Sequence, residues 1–174
     1  NQTATTSGQA SGELTGMKIA YVEIDTLLAQ YNFCIDLNEG MVKKSENVRL
    51  TLNQKARELD KQKQDFQTKY QNNAYLSPER AQQEYNRIAK LEQDLQTLSN
   101  KLQSELMSEN EKNSLQLRDS INAFLKEYNK TKGYSMIISN TGFDNLLYAD
   151  SIYNITKEIV EGLNARYSSP APKK

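Results

Sequence analysis

Histidine and tryptophan are missing from this chain of 174 residues, cysteine occurs once and proline three times. With no histidine and a lone cysteine, the common Cys/His zinc sites cannot be built within one chain, and neither can an intrachain disulfide. Charge of one sign is missing too. The 22 basic and 22 acidic side chains cancel, the isoelectric point is near 6.6, and the electrostatic case for a general nucleic-acid binder falls away. No apolar run approaches the ~18–20 residues of a membrane-spanning helix, so stable membrane insertion is not expected. Hydrophobic residues make up only 37%, against roughly 45–50% in an ordinary domain, which argues against a single large core. The mean hydropathy of -0.79 would suit a disordered chain. The apolar residues nevertheless recur at regular intervals, and that pattern points to a small compact body joined to long, solvated helices.

The opening NQTATTSGQASGELTG, residues 1–16, has almost nothing to bury and reads as a flexible leader. The chain does not begin with Met, as expected if a signal peptide or other upstream segment had been removed. SSPAPKK, residues 168–174, reads as a flexible tail. KIAYVEI, over about 18–24, is the first strand candidate, apolar on both faces as in a strand covered on both sides. Asp25 offers an N-cap to the helix that follows. From there to about Asn73 no proline interrupts, and Leu37, Met41, Val48, Leu52, Ala56, Leu59, Phe66 and Tyr70 return mostly at three-, four- or seven-residue intervals. Gly40 is the weak point, since a mid-helix glycine costs about 1 kcal/mol.

Leu76-Ser77-Pro78-Glu79 is the sharpest local signal: a capping serine, proline at the first helical position and an acid in the first turn. A second helix is expected from Pro78 to about Lys132. Its seam of Ala81, Tyr85, Ile88, Leu91, Leu95, Leu98, Leu102 and Leu106 recurs at steps of three or four. The two helices predict an antiparallel hairpin arm over 36–132 with its tip near 72–77. Lys55 and Gln62 or Lys63 interrupt the first seam, so the arms should pack loosely there and be compliant. Gly133 closes the second helix after Lys130 and Lys132. Strands are then expected at about 134–139 and 145–149, with a last helix at about 155–167 that Asn154 can cap. The segments 17–35 and 133–167 thus predict a discontinuous oligomerisation body, too small for a comfortable core alone and with open strand edges to cover.

The ordered pieces resemble a known family. KIAYV, DTLLAQY, a long polar hairpin, GYSMIIS, NLLYAD and ITKEIVEGLNARY are similar in order and length, over about Met17 to Tyr167, to the Skp/OmpH-like envelope chaperones, and the last two blocks resemble members from Bacteroidetes most. The resemblance implies an α+β fold: a small multimeric β-barrel-like body from which the helical hairpin arms of a homotrimer extend like the tentacles of a jellyfish. It implies a periplasmic, ATP-independent holdase that binds unfolded outer-membrane proteins in a cavity between the arms and prevents their aggregation before membrane insertion. Ile19, Tyr21 and Val22 fall on the family's first strand, Met136, Ile137 and Ile138 on its second, and Leu146, Leu147 and Tyr148 on its third. No catalytic residue, cofactor or metal is implied. The balanced charge departs from the basic members of the family and leaves at most a weak association with the envelope surface.

Several residues invite sharper readings. Cys34, in YNFCIDL, reads as a buried inert thiol, since no histidine exists to activate it. Asp25, Asp36 and Glu39 read as a cap and solvated helix charges. Phe66, Tyr70, Tyr75 and Tyr85 gather near the tip, either packing the hairpin end or offering an amphipathic surface to clients. Leu52, Leu59, Ile88, Leu91, Leu95, Leu98 and Leu102 are the expected seam. The alternative function is a structural or adaptor coiled coil of the envelope with one selective partner. No motif supports an enzyme.

Overall fold

A computed structural model describes residues 16–142 and 145–168; the expected leader and tail fall, apart from Gly16 and Ser168, outside them. In chain order the elements are strand β1 (Ile19–Glu23), helices α1 (Ile24–Gln30), α2 (Asn32–Gln71) and α3 (Pro78–Lys132), strand β2 (Met136–Asn140), a 3-10 turn (Ser151–Tyr153) and helix α4 (Thr156–Arg166). Two compact units emerge. One is the chain up to Tyr31 together with Ile121–Ser168, and the other is Asn32–Ser120.

In the first unit β1 and β2 pair in parallel, with Ile19 opposite Met136 and Glu23 opposite Asn140. Parallel neighbours need a long crossover, and here both long helices lie between the two strands in sequence. Ala20, Tyr21 and Val22 are all buried, so β1 is covered on both faces, as its unbroken apolar run requires. Its other edge is taken by the chain entering α4: Ile155 N donates to Tyr21 O at 3.0 Å. Thr156, a buried polar residue, accepts from Glu23 N at 2.9 Å and donates to Asn154 Oδ1 at 2.6 Å. Asn154 Oδ1 also accepts from Thr156 N at 3.0 Å, but the N-cap of α4 is Ile155 and not the expected Asn154, which stands one residue before it. Ile159, Val160 and Leu163 of α4 complete the core with Leu27 of α1.

The C-terminal end of α3 is secured within the same unit. Gly133 adopts φ +70°, the left-handed conformation that glycine supplies without strain. Asn129 accepts from Tyr134 N at 2.7 Å and donates to Tyr134 O at 2.9 Å. Lys18 donates to Lys132 O at 2.6 Å, where the helix carbonyls lack partners, and lies 4.6 Å from the centre of the Tyr134 ring. Lys132 pairs with Glu158 of α4 at 2.6 Å. Lys132 holds the Glu158 carboxyl below its ordinary value of 4.5, while burial pushes the Tyr128 hydroxyl up. A depressed carboxylate stabilises the fold above its ordinary value, and that contribution is lost as pH falls through the lowered one. The melting temperature should therefore drop between neutral and strongly acidic pH, and drop less in Glu158→Gln. The difference should be small because both side chains are partly exposed; thermal melts by circular dichroism across that range measure it.

Three further expectations are corrected. The protein is predominantly α-helical, with a single two-stranded sheet among the described residues, and that sheet is not closed into a barrel. The third strand expected at 145–149 does not form, and Leu146, Leu147 and Tyr148 lie in irregular chain. A strand needs a neighbour. The edge of β1 opposite β2 is bridged at Tyr21 by Asn154, and Asp150 Oδ1 accepts from Ile152 N at 3.0 Å to start the 3-10 turn instead. Asp25 is not an N-cap either: α1 begins at Ile24 and places Asp25 in its first turn, where its charge still suits the helix dipole. The helical run after it is broken at Tyr31. Tyr31 is buried with φ -78° and ψ 113°, its ring edge-on to Tyr167 with centroids 6.4 Å apart, and Asn164 Nδ2 donates to Gln30 O at 2.9 Å.

In the second unit α2 and α3 run antiparallel, bridged by the ion pairs Lys44–Glu109 and, at 2.7 Å, Lys63–Glu92. Gly40 does not interrupt α2, and a Cβ placed there meets nothing within 4 Å. Gly40→Ala should thus stabilise the helix by about 0.5–1 kcal/mol, read as a higher urea midpoint in ellipticity at 222 nm (the helix band).

Candidate functional site

The hairpin tip is assembled by local chemistry. Thr68 O and Lys69 O accept from Asn72 N and Ala74 N at 3.1 and 2.9 Å, closing the end of α2, and Asn73 takes the left-handed φ of 54° that asparagine tolerates. Ser77 Oγ accepts from Arg80 N at 3.3 Å and Pro78 opens α3. These turns bring Phe66 against Tyr70, Tyr75 and Tyr85, with ring centroids 5.9, 5.6 and 6.2 Å away. The four aromatic residues singled out in the sequence therefore form one cluster centred on Phe66. It packs the hairpin end and still presents surface, since Tyr70 is 62% and Tyr85 56% exposed. Burial, and then the neighbouring Glu84, push the Tyr75 hydroxyl up, while Arg87 holds Glu84 low through a 2.6 Å ion pair. Leu76, which flanks the capping Ser77, stands at the apex 95% exposed.

Behind the tip the seam is only partly closed. Ala81, Leu59 and Ile88 are buried, whereas Leu52, Leu91, Leu95, Leu98 and Leu102 are half-buried. Leu59, Leu91, Leu95 and Leu98 wall a half-open cavity of about 270 Å³, with Gln62 and Lys55 among its other lining residues. The residues matched to the body divide. Ile19, Tyr21 and Val22 sit on β1 beside Met136, Ile137 and Ile138 on β2, but Leu147 and Tyr148 are 83% and 84% exposed. Nothing in the sequence marks Gly162, yet a Cβ there would overlap the Phe124 ring, so glycine lets α4 approach that ring without displacing it. Cys34 is buried, its thiol pushed up by burial, with Asn38 Nδ2 3.6 Å from the sulfur. Among the described residues no group of His, Cys, Asp and Glu could hold a metal ion, and no helix is long and apolar enough to cross a membrane.

The arrangement offers amphipathic surface and a seam cavity, and comparison with known proteins gives it a context. The family model for outer membrane proteins of the OmpH-like kind matches residues 18–163. The chain belongs to the OmpH-like family. This OmpH-like chain also shares its fold with a crystal structure described as an outer membrane chaperone (OmpH-like) from Caulobacter crescentus CB15, with a TM-score of 0.78 over 97% of this chain and 94% of that one, at 13% identity. No curated protein matches it. Membership makes the OmpH-like chain a periplasmic, non-enzymatic protein with a general chaperone role toward outer-membrane proteins.

Proposed function

We propose that this chain is an ATP-independent holdase that binds unfolded outer-membrane proteins between the hairpins of a homotrimer and keeps them from aggregating before insertion. The observation that carries the reading is the exposed aromatic cluster around Phe66 at the end of a long polar hairpin. An unfolded barrel protein presents alternating apolar side chains and unsatisfied strand edges that pair with one another. Holding them apart without one tight interface calls for many weak contacts. Tyrosines, with an apolar ring and a polar tip, suit such contacts, and confinement raises the effective concentration of each. Phe66, Tyr70, Tyr75 and Tyr85 are the proposed client-binding residues. Self-association is supported by apolar surface left on the first unit at Met136, Leu147, Tyr148 and Ile152. With no net charge to steer capture, association with anionic envelope surfaces is at most weak.

The test mixes purified protein with a urea-diluted outer-membrane barrel protein and follows light scattering and the mass of the complex. The expected result is suppressed scattering at near-stoichiometric ratio, with one client on each trimer. A stable folded monomer at micromolar concentration in sedimentation would overturn the assembly. The exposed apex at Leu76 favours a second reading, an adaptor gripping one selective partner by its tips. Failure to bind any unfolded client would shift the conclusion to it.

A further inference from the structure

We draw no further inference here: the strongest candidate, the surface patch at the hairpin apex where Leu76 stands exposed next to Tyr75 of the aromatic cluster, belongs to the site already described, and nothing in the structure shows what else would cover it.

Discussion

Deleting Asp60 to Asp94 and joining the shortened helices through a tight turn should abolish protection of an unfolded barrel protein, while the unit built on β1, β2 and α4 stays folded. The deleted stretch carries Phe66, Tyr70, Tyr75 and Tyr85, whose rings form the tip cluster. It also removes Gln62 and Leu91 from the seam cavity. If retention is the product of many weak contacts within a confined volume, removing the outer contacts lowers every successive rebinding step, and affinity should fall by about two orders of magnitude or more. None of the deleted residues belongs to the first unit, which comprises the chain up to Tyr31 and Ile121–Ser168, so its stability should change little. Client scattering and client affinity are compared for the full-length and shortened proteins, with sedimentation on both. Equal protection by the shortened protein would refute confinement by the hairpins.

Ile159→Asp should be the most damaging single substitution in the first unit. Ile159 is fully buried on the inner face of α4, with Val160 and Leu163 beside it in the core. An aspartate there loses the burial of the isoleucine and places a carboxylate in apolar surroundings, where it must stay unpaired or take up a proton. The cost is about 3–5 kcal/mol, a large share of the stability of a small domain. Leu76→Asp, at an apex that is almost wholly exposed, should change stability by no more than about 0.5 kcal/mol. With no tryptophan in the chain, urea melts are read by circular dichroism. Similar midpoints for the two variants would contradict the assignment of Ile159 to the core.

The parts of the candidate site that were legible in the sequence are those whose chemistry acts over a few residues. Ser77, Pro78 and Gly133 mark the two ends of α3, which spans Pro78–Lys132, because a cap, a missing N–H and a left-handed φ are each decided within one turn of backbone. The nearness of Phe66 to Tyr85 followed from the tight turn between them. What could not be read was how well each seam position closes. Leu59 and Leu95 look equivalent in the heptad pattern and wall the same cavity, yet one is buried and the other half-buried, since closure depends on the side chains facing each residue from the other helix.

By itself the sequence determined a chain of mostly solvated helix, a hairpin turned at 72–77 and a first strand apolar on both faces. Periodicity and local capping are written into neighbouring residues, so they need no knowledge of the rest of the molecule. Only the tertiary structure decided the break at Tyr31, the absence of a strand at Leu146 to Tyr148 and the need for glycine at Gly162. Tyr31 leaves the helix because Tyr167 and Asn164 meet it and the preceding carbonyl from more than 130 residues away. NLLYA has the composition of a strand but pairs with neither edge of the β1–β2 sheet, and the outer side of β1 is already taken by Asn154 and Ile155. Gly162 is forced by the ring of Phe124. In each case the deciding partner is distant in the chain, and strand pairing and close packing depend on which surfaces meet.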